Sequence, residues 1–161
     1  MFDRFSLPAR RAVFWARHEA GQLGSETIEP KHLLLGLLME DQGESERQAV
    51  SRFGKPLITP QPGDPLAPFF SDETASKLRQ ILAKQTSPGA PKAETVDLPL
   101  AERAHWALIA ANEHAGNAEV QLLHVLWGLI SDEKNSVRTL LNANGVTAEQ
   151  VEDAIHGRPR S

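Results

Sequence analysis

Histidine is the side chain in this sequence best suited to chemistry, because it binds metal ions and exchanges protons near neutral pH. The sequence has six histidines and no cysteine, which excludes disulfides, thiolate metal sites and cysteine nucleophiles. His32 and His124 each begin a strongly apolar segment. A symmetric metal pair or an acid–base pair would use such residues, but neither histidine has a partner at metal-ligand spacing. We therefore predict that each holds a loop by hydrogen bonding at the start of a buried helix.

The other histidines complete no catalytic or metal-binding motif in the sequence. His18-Glu19 is not followed by a histidine at the spacing of a zinc-protease helix, and positions 105, 114 and 156 form no such motif either. A nucleophile elbow needs a strand–turn–helix segment, and glycoside hydrolysis needs paired carboxylates, but neither can be placed on this sequence. We therefore predict that the chain is not an enzyme and that it binds no metal and no other cofactor.

The composition limits the class of protein and its partners. With 161 residues, of which 40% are hydrophobic, the chain is long enough to bury a core. Its formal net charge of −4 gives no electrostatic reason to approach nucleic acid, which attracts clustered Lys and Arg. The N-terminus lacks the apolar stretch of a signal peptide, and no apolar run reaches the ~20 residues that span a bilayer. We expect a cytoplasmic protein that binds neither nucleic acid nor a membrane.

Helices are the elements that must position these residues. Small and apolar residues recur at helical spacing from Ala9 to Leu23, and Gly24 then provides a left-handed cap. Pro30 suits the first turn of a second helix, and the run 33–39 is apolar on every face, which predicts a helix enclosed by others. Further helices are predicted at 45–53, 71–85, 100–115, 121–130 and 136–144, with a last one that begins at Thr147. The predicted fold class is all-α.

Two proline-containing segments interrupt these helices, a loop at 55–70 and a connector at 86–97. In the loop, residues 62–70 carry prolines at every third position, which matches one face of a polyproline II helix. This stretch includes Pro65, Phe69 and Phe70. It could dock on a partner, or it could wrap its own bundle with the two phenylalanines as anchors. We favour the second interpretation, because exposed phenylalanines would form an apolar patch.

The pattern of the first half returns in the second half. His32 and Gly36 correspond to His124 and Gly128 at an offset of 92 residues. Without a gap, the same offset equates Ala9 with Ala101, Arg11 with Arg103, Ala12 with Ala104, Gly24 with Gly116 and Leu37 with Leu129. A shared offset over two helices and their loop indicates an internal duplication with pseudo-twofold symmetry. We predict one domain over 1–161, made of repeat one at 1–85 with the loop insertion 55–70, the linker 86–97, repeat two at 98–157 and a tail at 158–161.

Both repeats carry the motifs of a known family. The segments Arg4-Phe5-Ser6, Glu19-Ala20, Leu23-Gly24 and 32–38 (HLLLGLL) resemble the first repeat of the Clp ATPase N-terminal domain, or Clp R domain. Residues 124–130 (HVLWGLI) resemble its second repeat. The resemblance covers nearly the whole chain outside the two proline-containing segments and implies two pseudo-symmetric four-helix repeats in an eight-helix bundle. In Clp unfoldases this domain receives substrates and adaptor proteins and passes them to the ATPase ring.

The sequence departs from this family in two respects. It has no G-x-x-x-x-G-K-[ST] phosphate loop, so we expect a stand-alone module without the ATPase motor and without unfolding activity of its own. In family members that bind phosphoarginine, a Glu precedes the motif His of each repeat, but Lys31 and Leu123 stand at these positions. A cation repels a guanidinium group and an apolar side chain cannot pair with it. We therefore predict that phosphoarginine recognition is lost.

The resemblance implies a non-catalytic protein-binding module, which we predict to be an adaptor, decoy or regulator of a Clp protease system. Its partners would be Clp ATPase or protease components, or their substrates. The residues predicted to contact a partner are Ser6, Arg10, Lys31, Leu123, Pro65, Phe69 and Phe70, and those predicted to form a structural motif are His32, Gly36, His124 and Gly128. The alternative function is a sensor that binds a small molecule or a peptide in the groove between the repeats.

Overall fold

A computed structural model describes residues 2–55, 66, 68–84 and 98–157 of the chain. This part contains eight helices, which are α1 (Leu7–Gln22), α2 (Pro30–Asp41), α3 (Glu44–Phe53), α4 (Asp72–Lys84), α5 (Glu102–Ala115), α6 (Leu122–Ser131), α7 (Ser136–Ala143) and α8 (Ala148–Ile155). They confirm the predicted all-α fold of two four-helix repeats. The linker 86–97 and the tail 158–161 lie outside the described residues, so the predicted domain boundaries stay predictions.

Local sequence signals place the helix ends close to their predicted positions. The Ser6 side chain caps α1 by accepting a hydrogen bond from the backbone N–H of Ala9 at 3.2 Å. Beyond the other end of α1, Gly24 adopts a φ of 72°, as the predicted left-handed cap requires. At the start of α8, Thr147 and Gln150 form the predicted capping box.

Helix α2 lies at the centre of the bundle, as its uniformly apolar sequence predicts. It packs against α1, α3, α4, α5, α6 and α7, and residues 32–40 are all buried. Gly36 permits the close approach of α1, because a Cβ added there would lie 2.0 Å from the carbonyl oxygen of Ala12. Gly128 plays the same part in repeat two, where its added Cβ would lie 2.1 Å from the carbonyl oxygen of Ala107. The two motif glycines therefore set the distance between the paired helices of each repeat.

The predicted ungapped offset is wrong for the first helix of each repeat. The glycine contacts show that Ala12 corresponds to Ala107, not to Ala104, which is an offset of 95 residues. The offset is 92 again at the turn glycines Gly24 and Gly116, which both have positive φ. The second repeat therefore lacks three residues near the end of α5, which is about one turn of helix. The predicted pairs Ala9 with Ala101, Arg11 with Arg103 and Ala12 with Ala104 fail for this reason.

The two repeats are joined by a reciprocal pair of short backbone bridges. Phe5 pairs with Val120 and Ile28 pairs with Leu100, both in parallel. Thus the segment before α1 pairs with the segment before α6, and the segment before α2 pairs with the segment before α5. This exchange of partners is the relation that a pseudo-twofold axis produces.

The end of the proline-containing loop packs into the bundle. Leu66, Phe69 and Phe70 are buried, so the interpretation of the two phenylalanines as anchors of the loop is confirmed. Pro65 and most of the loop lie outside the described residues. Among the helices of the described part, none has both the length and the apolar character that crossing a bilayer requires.

Candidate functional site

The two motif histidines close the turns in front of α2 and α6. His32 Nδ1 accepts a hydrogen bond from the backbone N–H of Glu29, and His124 Nδ1 accepts one from Gln121, both at 2.9 Å. Burial lowers the pKa of His32 to about 4, so the imidazole is neutral at physiological pH. Burial, together with the neighbouring His114, also lowers the pKa of His124. Both rings hold a loop by hydrogen bonding, as predicted.

Two of the residues predicted to contact a partner are turned into the protein instead. Phe69 and Phe70 are buried in the core, because the end of the loop folds back over the bundle. A partner cannot reach them in this conformation, which corrects the prediction that they form a binding surface. Ser6 is also buried and its hydroxyl caps α1, so it offers little surface to a partner.

The remaining predicted contacts stand near the starts of α1, α2 and α6. Arg10 is exposed and donates hydrogen bonds to the carbonyl oxygens of Phe5 and Asp3, both at 3.1 Å. Lys31 Nζ lies 3.3 Å from the Glu29 carboxylate, whereas Leu123 packs partly buried against the core. Neither position supplies the carboxylate that would pair with a guanidinium, so the loss of phosphoarginine recognition stays a prediction.

A different surface, the α1–α3 groove, combines exposed aromatic residues with a cavity of about 450 Å³. Its aromatic walls come from α1 and from the last residue of α3. Phe14 is 49% exposed and Phe53 is 71% exposed, whereas Trp15 lies buried below them. Phe14 packs edge-on against Trp15 with ring centroids 5.1 Å apart, and it stacks on His18 at 6.4 Å. The groove is lined by Arg11, Phe14, Trp15, His18, Ser45, Gln48, Ala49, Arg52 and Phe53.

A chain of polar contacts fixes the floor of the α1–α3 groove. Trp15 Nε1 donates to Ser45 Oγ at 2.8 Å, and Ser45 Oγ donates in turn to the Glu40 carboxylate at 2.5 Å. Glu40 is buried on α2, and Arg11 Nη1 approaches its other oxygen at 3.9 Å. Because these groups connect α1, α2 and α3, the aromatic walls are held by the core of the first repeat. The groove is therefore preorganised for binding.

The charge of the α1–α3 groove is positive at its rim. Arg11 and Arg52 line it, and the guanidinium of Arg17 lies 5.9 Å from the centre of the Phe14 ring. Among the described lining residues there is no carboxylate. The sequence analysis did not predict this surface, because it considered only the residues of α1 and α3 that repeat at helical spacing on the buried face. The available signal was the large apolar residue on the polar face, since both Phe14 and Phe53 fall outside that buried face.

Two further cavities, of about 360 and 350 Å³, lie between α2 and α4 and are less aromatic. The first is lined mainly by polar residues, and the second brings the ends of α1 and α2 against α4. Together with the α1–α3 groove, both are built from residues of repeat one alone. The predicted binding of a small ligand between the repeats stays a prediction.

Sequence comparison relates the chain to Clp chaperones. It is 27% identical over 154 residues to the chloroplastic chaperone protein ClpD2 of Oryza sativa subsp. japonica, across 94% of this chain and 15% of that protein. It is 23% identical over 156 residues to the negative regulator of genetic competence ClpC/MecB of Bacillus subtilis, across 96% of this chain and 17% of that protein. These matches lie in the N-terminal region of the relatives. The chain spans less than a fifth of their length, and no protein-family model matches it.

Solved structures show the same relation in three dimensions. The N-terminal domain of the chaperone ClpD from Arabidopsis thaliana superposes with a TM-score of 0.65 at 23% identity, covering 96% of both chains. The N-terminal domain of Hsp104 from Candida albicans superposes with a TM-score of 0.63 at 16% identity, covering 98% of this chain and 95% of that one. The eight helices and their two-repeat arrangement are thus those of the N-terminal domain of a Clp ATPase.

Proposed function

We propose that this chain is a protein-binding module that captures partner segments in the α1–α3 groove and serves a Clp protease system as an adaptor, decoy or regulator. The similarity to Clp proteins in sequence supports the part of this proposal that concerns protein binding in a Clp system. The groove supports the specific part, because it combines aromatic anchors and positive charge on a held floor. Neither part requires catalysis.

The observation that carries the proposal is the exposure of Phe14 and Phe53 on either side of one cavity. Exposed apolar side chains that gather around a concave surface mark interaction sites, whereas scattered ones do not. Aromatic residues and arginine are also the side chains that contribute most to binding energy at protein interfaces. This combination favours an apolar side chain of a partner between the two phenylalanines.

The charges at the rim define the rest of the partner. The exposed Arg52 attracts carboxylates, whereas the charge of Arg11 is partly balanced by Glu40 beneath the floor. The described lining itself contains no carboxylate that would attract a basic segment. A partner segment with one or two large apolar residues flanked by Asp or Glu would therefore bind, and its affinity would fall with added salt. A basic segment with the same apolar residues would bind more weakly.

A serine substitution at Phe53 tests the groove. We expect F53S to weaken the binding of a fluorescein-labelled acidic peptide that contains Phe and Leu by about 30-fold, because it removes an interface anchor worth about 2 kcal/mol. Fluorescence anisotropy measures the dissociation constant. W106S is the matched control, because Trp106 is similarly exposed, at 52%, but lies on α5 of the other repeat.

Two outcomes would contradict this use of the groove. The first is equal weakening in F53S and W106S, and the second is an unchanged affinity when Asp and Glu in the peptide are replaced by Lys. The charge-reversing variant R52E adds a separate check, since it should reduce the preference for the acidic peptide without touching the apolar anchors. Phe53 and Arg52 are exposed, so these variants should fold.

The role in a Clp system is tested with a purified Clp ATPase from the same cells. An adaptor would increase the degradation of a bound substrate by the ATPase and its peptidase, and a decoy would decrease it. We expect one of these changes with the wild-type chain and its loss with F53S. No change in degradation, together with normal peptide binding, would refute the Clp role while leaving the groove as a binding site.

A further inference from the structure

A cluster of three metal-ligating side chains lies in the second repeat, on the opposite half of the molecule from the α1–α3 groove. His114 stands near the end of α5, and Glu152 and His156 lie one turn apart at the end of α8. One carboxylate joins both rings, since Glu152 Oε2 is hydrogen-bonded to His114 Nε2 and Glu152 Oε1 lies 2.8 Å from His156 Nε2. Donor atoms of the three residues all lie within 4.8 Å of one another.

The sequence alone gave no sign of this cluster, because His114 precedes Glu152 by 38 residues. The fold brings them together by packing α5 and α8 against α6. The spacing of Glu152 and His156 is local, since residues four apart lie on the same face of a helix. Histidines 114 and 156 form no metal motif in the linear sequence, as predicted, and it is the fold that places them on either side of Glu152.

We propose that His114, Glu152 and His156 bind a divalent transition-metal ion, with zinc as the ion that suits them best. Two imidazole nitrogens and one carboxylate oxygen form the donor set that zinc accepts at three of its four tetrahedral positions. Zinc lies about 2 Å from such donors, which places neighbouring donor atoms about 3.3 Å apart. The donor atoms now lie within 4.8 Å of one another, so the widest separation would close by up to about 1.5 Å on binding. Water, or a carboxylate of a bound protein, would complete the fourth position.

The surroundings hold His114 in place and leave His156 accessible to solvent. His114 is largely buried, and its ring packs edge-on against Trp127 with centroids 4.3 Å apart. The ring of His124 lies 6.0 Å away, with Nδ1 already engaged by the backbone of Gln121. His156, by contrast, is half-exposed at the helix end. An ion can therefore enter from the solvent side and meet a ring that is already oriented, which is the arrangement that favours selective binding.

Metal binding would replace the hydrogen bonds between Glu152 and the two imidazoles by bonds to the ion, and it involves no change of oxidation state. In the metal-free state, each imidazole that donates to Glu152 carries its proton on Nε2. Ligation through Nε2 requires that proton to leave or to move to Nδ1, while the carboxylate changes from a hydrogen-bond acceptor to a ligand. The net positive charge of the ion is then partly balanced by Glu152. The chain keeps its fold in both states, because the core is built without the cluster.

Isothermal titration of the untagged full chain with zinc chloride tests the proposal. We expect one ion per chain, with an affinity that falls at least 10- to 100-fold in E152Q and in H156A, since loss of a ligand costs at least as much as loss of a supporting residue. Bound Co²⁺ should also show the visible absorption of a tetrahedral site and should quench Trp127. H105A is the matched control, because His105 is an exposed histidine on α5 outside the cluster.

E152Q and H156A change exposed or half-buried side chains, and thermal unfolding in the absence of metal confirms that each variant is folded. Equal affinity in wild type, E152Q and H156A would overturn the proposal, as would equal losses in H105A and H156A. A titration with no heat and no cobalt spectrum would overturn it as well. None of these outcomes affects the α1–α3 groove, because no residue is shared between the two sites.

Discussion

Replacing Gly36 with alanine is expected to destabilise the protein by about 4 kcal/mol, which is a large fraction of the roughly 5 to 15 kcal/mol by which native domains are stable. The added Cβ would lie 2.0 Å from the carbonyl oxygen of Ala12 and 2.9 Å from the backbone nitrogen of Ala16. These are backbone atoms, so no side-chain rotation relieves the overlap and α1 must move away from α2. Chemical denaturation followed by circular dichroism measures the loss.

Two further glycine variants make this result interpretable. G128A should cost a similar amount, because its Cβ would lie 2.1 Å from the carbonyl oxygen of Ala107 in the other repeat. G21A should instead stabilise the protein by about 0.5 to 1 kcal/mol, since Gly21 lies within α1 with open space around it. A small effect of G36A, within 1 kcal/mol of G21A, would show that the helices tolerate a wider separation.

Acidification is expected to remove about 2 kcal/mol of stability between pH 7 and pH 5 through His32 alone. Burial lowers the pKa of His32 to about 4 in the folded chain, against about 6.5 in the unfolded chain. Between these values the unfolded state binds one more proton, so stability falls as pH falls. The loss of stability therefore begins as pH falls through about 6.5 and is complete below about pH 4, where it totals about 3 kcal/mol.

The H32N variant isolates this contribution. Asparagine can accept the backbone N–H of Glu29 in place of Nδ1, but it does not titrate. Urea denaturation at pH 7, 6 and 5 should give a flatter profile for H32N than for wild type, even if H32N is less stable throughout. H105N, at an exposed histidine, should keep the wild-type slope. Parallel profiles for wild type and H32N would mean that folding does not change the pKa of His32.

Regular periodicity and capping residues made most of the fold predictable. The continuous apolar run of α2 can be buried on all sides only at the centre of a bundle. Gly36 has its counterpart in Gly128, because the paired helices of each repeat pack through a glycine. The ungapped alignment failed at α5, although the sequence contains the correct register there. The four buried alanines of α1 at 9, 12, 16 and 20 match the buried alanines of α5 at 104, 107, 111 and 115 with an offset of 95. The glycine contacts and the starts of the two helices show the same register.

The candidate sites were harder to predict than the helices that carry them. The α1–α3 groove needs Phe14 and Phe53 on neighbouring helices, and the sequence does not state how those helices face one another. The cluster of His114, Glu152 and His156 depends on α5 and α8 coming together against α6, although α6 and α7 separate them in the sequence. Sequence resemblance directed attention to the positions before the motif histidines, where the chain has lost the carboxylates.

The reciprocal bridges Phe5–Val120 and Ile28–Leu100 bear on the origin of the two repeats. A single repeat that carried both edge segments would form the same two bridges with a second copy of itself, in an isologous dimer. Joining the copies in one chain replaces association between molecules by a high effective concentration, so stability no longer depends on protein concentration. Each half was then free to diverge. Such divergence would explain why the two halves differ. The first carries the aromatic groove, and the second carries the cluster of His114, Glu152 and His156.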